Sequence, residues 1–448
     1  VTVALGTPVA RRALAATVLG SGMAFLDGSI VNVTIPAIRH DLGAGTAGLQ
    51  WVVDGYLVTL TALLLLGGAL GDRYGRKRVF LLGTYVFTAA SVACGLAPSI
   101  ELLVLARIVQ GVGGALLVPG SLALLGATIR VDDRARAVGA WSGLSGVATA
   151  IGPLLGGWLV DAVSWRLAFL VNVPLAVALV VVARGIPESV EEEATHLDLP
   201  GAVTAVAGLV LLTAGLIEEH VVLAVAGAVV LVAFVVLELR GRHPMLPMGL
   251  FRSLQFSGAN VVTLGVYAGL GVAFFLVVVN LQISLGYSAL EAGSAMLPIT
   301  VLMLLLSSRS GALAQRIGPR IPMTVGPVLM AAGFVALAGV ERGDHYAAAV
   351  LPGVVVLGLG LATTVAPLTA AVLAAVDEHH LGVGSAVNNA VARLAGLLAV
   401  AVLPSVAGVD LDVRGRVPGY ATAMAVGAGC CVAGGVLAAA TIHRVRPA

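Results

Sequence analysis

Short polar breaks divide the chain into long apolar runs. A helix needs about 20 apolar residues to cross the hydrocarbon core of a bilayer. Fourteen runs qualify: 12–35, 47–70, 79–98, 101–127, 136–160, 166–185, 199–217, 221–239, 257–284, 291–310, 322–340, 347–374, 383–407 and 418–442. An even number of spans puts both termini on one side, and the basic residues identify it, because Arg and Lys gather in cytoplasmic loops. Of the 25, five (Arg39, Arg166, Arg342, Arg414, Arg416) fall on one face and two (Arg107, Arg393) inside apolar runs; the other eighteen share the face of the termini. Cytoplasmic termini are therefore expected. Acidic residues show no such bias. The longest cytoplasmic breaks, about 186–198 and 240–256, are too short for a soluble domain, and Glu191, Glu192 and Glu193 in the first read as a solvated charge run.

Composition narrows the chemistry. Only 11% of the 448 residues are charged and 59% are apolar, against roughly 25% charged in soluble proteins, so the predicted class is all-α integral membrane. A net charge of +2, with no basic stretch interleaved with aromatics, argues against nucleic acid as a partner. The three cysteines lie inside apolar runs, where a thiol acts as a small hydrophobe, and no disulfide framework or metal-ligand spacing is present. All eight histidines lie in or beside polar breaks, so no haem or metal cofactor is expected at mid-membrane. Lys77 is the only lysine, and it sits in Gly-Arg-Lys-Arg rather than after a phosphate-cradling glycine loop, which excludes ATP hydrolysis by that route. A membrane-embedded enzyme would need a nucleophile, a metal site or a His–acid pair at depth, and none is visible. The start at Val1 implies a trimmed N-terminus, and the first apolar run is expected to stay as a span rather than be cleaved as a signal.

One internal repeat organises the chain. GALGDRYGRK at Gly68–Lys77 and GALAQRIGPR at Gly311–Arg320 join spans two to three and ten to eleven, with Gln315 where the first copy has Asp72. The simplest architecture is a six-helix bundle over 1–185, a two-helix insert with flanking segments over 186–256, and a second six-helix bundle over 257–448.

Charge buried in the spans is expensive and marks candidate function. From a helix rise of about 1.5 Å per residue, Asp27, Asp54 and Arg107 all lie on the order of 10 Å below the outer surface. Arg107 could pair with one Asp and merely cement the bundle. One Arg, however, cannot neutralise two acids, so at least one carboxyl is expected to take and release a proton. Gln110, one turn deeper than Arg107, could hydrogen-bond the pair or a substrate. The second bundle offers Arg393 and the amides Asn260, Asn280, Gln282, Asn388 and Asn389, as substrate contacts or as glue between helices. On span five, Gly152 and Gly156 have the spacing that lets helices approach closely, and Pro153 kinks the helix, a joint suited to movement or to static packing.

The motifs resemble those of a known family. GALGDRYGRKRVF (Gly68–Phe80) is similar to the signature loop of the major facilitator superfamily, matching at Gly68, Asp72, Arg73, Gly75, Arg76 and Lys77. LDGSIVNVTIP (Leu26–Pro36, with Asp27, Asn32 and Pro36), RIVQGVGGA (Arg107–Ala115) and SWRLAFLVNVP (Ser164–Pro174) resemble the fourteen-helix drug:proton antiporter branch. So do AIGPLLGG (Ala150–Gly157) and HPMLPMGLFR (His243–Arg252). The resemblance implies the major facilitator fold and proton-coupled export of amphipathic, cationic molecules by alternating access in the plasma membrane; two complete bundles in one chain predict a monomer, and no cofactor is expected. Asp27, Asp54 and Arg107 would couple protons; Asp27, Asn32, Gln110, Asn260, Asn280, Gln282 and Asn388 would meet substrate; Asp72, Arg73, Gly75, Arg76, Gly152, Pro153, Gly156 and Gly157 would gate. In that gate the cations after Gly75 would form interhelical ion pairs, with Asp132 or Asp133 as partner. Export of an endogenous lipid or secondary metabolite, or import on the same fold, remain alternatives.

Overall fold

The computed structural model describes residues 2–190, 197–241, 244–341, 343–376, 381–411, 413 and 415–442. The Glu191–Glu193 run, Arg242, His243, Arg342, Arg414, Arg444 and Arg446 lie outside them, as do His196, His379, His380 and His443.

Every apolar run is helical. Among the described residues the α-helices are α1 (Pro8–Leu42), α2 (Thr46–Tyr74), α3 (Arg76–Leu96), α4 (Ile100–Thr128), α5 (Val131–Ala162), α6 (Arg166–Leu170), α7 (Asn172–Ala183), α8 (Leu199–Ile217) and α9 (Val221–Arg240). There follow α10 (Leu254–Val272), α11 (Val278–Ile283), α12 (Ala289–Ala295), α13 (Leu297–Ile317), α14 (Arg320–Ala338), α15 (Leu351–Leu373), α16 (Leu381–Ala407) and α17 (Tyr420–Thr441). They form 14 spans long and apolar enough to cross a membrane. Several helices outrun the apolar stretch that predicted them, because apolarity marks the hydrocarbon whereas backbone hydrogen bonding continues into the polar flanks until a cap stops it. In α1 that cap is Thr7, whose hydroxyl accepts the Ala10 N–H at 3.2 Å, with Pro8 in the first turn; left-handed Gly43 (φ 63°) closes the other end.

Four spans are interrupted. α6 and α7 part at Val171, one turn ahead of Pro174, which has no N–H to give the carbonyl of residue 170. A π-helical turn, Ala273–Val277, joins α10 to α11, and another, Tyr346–Val350, leads into α15. Met296 separates α12 from α13, which carries Pro298 in its first turn.

The chain divides into two compact units, Val1–Gly215 with His220–Leu246, and Leu216–Glu219 with Pro247–Ala448. Within the first, α2 and α3 pack on α4, α1 on α4, α5 and α7, and α3 on α6 and α7. Within the second, α13 and α14 pack on α15, α10 on α15, α16 and α17, and α14 on α17. Numbered from the start of each six-span set, these are the same pairs: second and third on fourth, first on fourth, fifth and sixth, third on sixth. The sequence repeat is thus also a repeat of packing. Its loops share one backbone requirement, since Gly75 (φ 111°) and Gly318 (φ 85°) occupy the same place in the two copies, in a region that a side chain disfavours.

Candidate functional site

Helices α1, α3, α4 and α7 bring Asp27, Ser91, Arg107, Gln110 and Asn172 into one cluster in the first unit, every member 0% exposed. Arg107 Nη1 donates to Asp27 Oδ2 and, at 2.7 Å, to Gln110 Oε1; its Nε donates to the Val52 carbonyl of α2 at 2.9 Å. Gln110 Nε2 donates to Asp27 Oδ1 at 2.7 Å and to Ser91 Oγ at 2.9 Å. Asn172 Nδ2 donates to the same two acceptors, at 3.1 Å and 3.2 Å. The guanidinium lies over the Tyr56 ring, 4.4 Å from its centre, which offsets the lack of a hydrogen-bond partner on Nη2. Withdrawing an ion pair from water costs several kcal/mol per ion unless good geometry and further hydrogen bonds repay it. Three donors on Asp27 meet that requirement.

Asp54 is the exception. It lies on α2 two residues from Val52, is 0% exposed, and neither carboxyl oxygen has a hydrogen-bond partner. Of the two acids expected to share Arg107, Asp27 takes it and Asp54 does not.

The sequence pointed to Asp27, Arg107 and Gln110, and the structure joins them. It adds Asn172 and Ser91, which composition and depth did not single out. The available signal was Asn172 itself, an amide between apolar residues in LAFLVNVP, at the interruption of its span. Asn32 stays on its own helix, its Nδ2 reaching the Gly28 carbonyl at 3.5 Å. In the second unit, Asn388 Nδ2 donates to Asn260 Oδ1 at 3.1 Å and to Thr263 Oγ1 at 2.7 Å, so these amides knit α16 to α10. Asn280 is buried, with its Oδ1 accepting from Ser284 at 2.7 Å and its side chain beside the Tyr420 hydroxyl; Gln282 is half-buried.

The signature loop is held by contacts of its own. Asp72 and Arg76 pair across the turn at 2.8 Å. Gly75 ends α2, its N–H returning to the Gly71 carbonyl at 3.0 Å. Glu188, from the segment after α7, accepts the backbone N–H groups of Lys77 at 2.9 Å and Arg78 at 3.1 Å, an anion on the exposed donors that begin α3. A side chain on Gly75 would press on that carboxylate, the nearest atom 2.9 Å from its Cβ. The Lys77 ammonium donates to the Ile186 carbonyl at 2.7 Å. Glu188 went unread in the sequence, which pointed to Asp132 or Asp133 as the partner of this loop. Asp133 instead accepts the Leu5 N–H at 3.0 Å, beside the pairing of Val3 with Ile129. On α5, Gly152 and Gly156 face α1: a Cβ on the first would strike Ser29 and approach the Leu26 carbonyl, and one on the second would strike Ile30. This close approach therefore flanks the turn of α1 that carries Asp27. Pro153 and buried Gly157 lie in the same stretch. Near the opposite end of α1, Asp41 accepts from Trp165 Nε1 at 2.9 Å and pairs with Arg166 of α6.

The sequence model described as Major Facilitator Superfamily matches residues 17–400. Among curated proteins, the chain is 35% identical over 418 residues to the "Probable actinorhodin transporter" of Streptomyces coelicolor, covering 88% of this chain and 72% of that protein. It is 35% identical over 404 residues to the "Multidrug resistance protein Stp" of Mycobacterium tuberculosis, covering 88% and 75%. Among solved structures, the xylose transporter XylE from E. coli superposes with a TM-score of 0.67 over 97% of this chain and 96% of that one, at 14% identity, a likeness of fold.

Proposed function

The chain belongs to the major facilitator superfamily, and from that premise we propose that it is a proton-coupled exporter of amphipathic, cationic small molecules in the plasma membrane, with both termini cytoplasmic. The observation that carries this reading is the division of labour between two carboxyls in the first unit: Asp27 is held as a charge by Arg107, and Asp54 is buried without a partner. A lone buried carboxylate is costly, and a proton is the cheapest way to neutralise it. Delivery of a proton to Asp27 from the outside frees Arg107 and discharges a cationic substrate; its release inside restores the anion that attracts the next one. A potential of 100 mV supplies about 2.3 kcal/mol per charge moved, so proton entry can sustain uphill export without ATP.

The moving parts in this scheme are residues 1–185 and 257–448, with the insert between them and Asp72, Arg73, Gly75 and Arg76 latching the cytoplasmic end. Gln110 belongs to the coupling cluster, and Asn280 and Gln282 are the second unit's amides that would meet substrate. Asn260 and Asn388, bonded to each other, serve packing. The likeness to a protein named as an actinorhodin transporter supports a second reading, in which the cargo is a secondary metabolite and export confers self-resistance.

The test is transport in proteoliposomes under an imposed pH gradient, with a lipophilic cationic dye as cargo. Asp27→Asn is expected to abolish gradient-driven transport while the protein still inserts and purifies. Undiminished gradient-driven transport by that variant would refute the assignment.

A further inference from the structure

Resting on that reading of Asp27, we infer that Asn172 is a positioning residue whose side-chain amide reverses when Asp27 is protonated, with the Ser91 hydroxyl turning alongside it. The inference follows from the hydrogen-bond polarity of the cluster. Asp27 Oδ2 faces Arg107 Nη1, which can only donate, so an arriving proton goes to Oδ1. There it meets two further donors, Gln110 Nε2 and Asn172 Nδ2. A protonated Oδ1 needs an acceptor, and one of its neighbours must turn round.

Gln110 is pinned. Its Oε1 already accepts from Arg107 Nη1 at 2.7 Å and from the Cys94 thiol at 3.6 Å, and reversing it would set donor against donor. Asn172 has no such tie. Its Oδ1 is buried and has no hydrogen-bond partner, while its Nδ2 makes both bonds of the side chain. A half-turn of the amide places Oδ1 where Nδ2 now sits, able to accept from the Asp27 hydroxyl. The Ser91 hydroxyl, which now accepts from both amides, has its own hydrogen to turn toward Asn172 Oδ1 while still accepting from Gln110. The other titratable groups around the pair do not supply the acceptor: Cys94 of α3 donates to Gln110, and the Tyr56 hydroxyl of α2 donates to the Ala24 carbonyl at 3.3 Å. The unsatisfied oxygen that looks like a flaw in one protonation state is the acceptor needed in the other. Its position matters too, since Asn172 is the first residue of α7, directly after the interruption in its span.

Infrared difference spectroscopy of the purified protein in lipid tests this, comparing acid with neutral pH. The expected acid-induced spectrum contains a side-chain amide carbonyl band that both Asn172→Leu and Asp27→Asn remove. The pH at half-maximal dye transport should also move by about half a unit, a threefold change in proton affinity, in both Asn172→Leu and Ser91→Ala. A band that persists in Asn172→Leu overturns the inference. So does its absence from the unaltered protein while gradient-driven dye transport is intact, a result that leaves the functional reading standing. Failure of the unaltered protein to transport dye on a pH gradient would instead remove the functional reading on which the inference depends.

Discussion

Arg107 pairs with Asp27 and leaves Asp54 without a partner, and that difference can be tested with a single substitution at each position. Arg107→Met leaves Asp27 buried without its counter-charge, and breaking a buried pair in this way costs about 3–5 kcal/mol. Thermal unfolding in detergent should show a large drop that is mostly recovered in the Asp27→Asn, Arg107→Met double variant; simple addition of the two losses would contradict the pairing. Asp54 should behave in the opposite way. Neither of its oxygens is hydrogen-bonded, so Asp54→Leu is expected to unfold at or above the parent temperature and yet to weaken gradient-driven dye transport. A marked loss of stability would mean that the carboxyl holds the fold. Depth along the helices placed these side chains in one layer, but depth has no angular information, so the sequence could not say which acid faces the arginine. Asn172 was hidden for a related reason, since its partner Asp27 lies 145 positions away and only the packing of α7 on α1 joins them.

At the scale of elements, apolar runs revealed the spans because lipid imposes both their length and their composition. The same runs could not reveal the joints at Val171 and Met296 or the π-turns in the ninth and twelfth spans, where the chain stays apolar while the hydrogen-bond ladder is broken. Nor did they show that Gly152 and Gly156 serve the contact of α5 with α1. Filling that contact with Gly156→Leu should cost about 1–3 kcal/mol through overpacking and reduce dye transport; an unimpaired variant would show that α1 and α5 have room to spare. At the start of α3, Glu188→Ala removes an anion from the first turn. Loss of a cap is worth about 0.5–2 kcal/mol, which should appear as faster amide hydrogen exchange at Lys77 and Arg78.

At the scale of the whole molecule, two six-span sets repeat the same packing pairs, and the clue to this was ten residues repeated at an offset of 243. The molecule's orientation is expected from the distribution of arginines, so a cysteine introduced at Val190, an exposed position, should react with a membrane-impermeant maleimide in everted vesicles and not in intact cells. Labelling from outside would reverse the topology. Gradient-driven accumulation of a cationic dye in the same vesicles distinguishes export from import. The composition that bars nucleotide hydrolysis by a phosphate-cradling loop also offers an experimental handle. The molecule has a single lysine, its ammonium bonded to the Ile186 carbonyl beside the signature loop. An amine-reactive dye therefore has one side-chain target in all 448 residues, and the rate at which Lys77 is modified becomes a reporter of whether the loop is clasped or released during transport, with no engineered probe required.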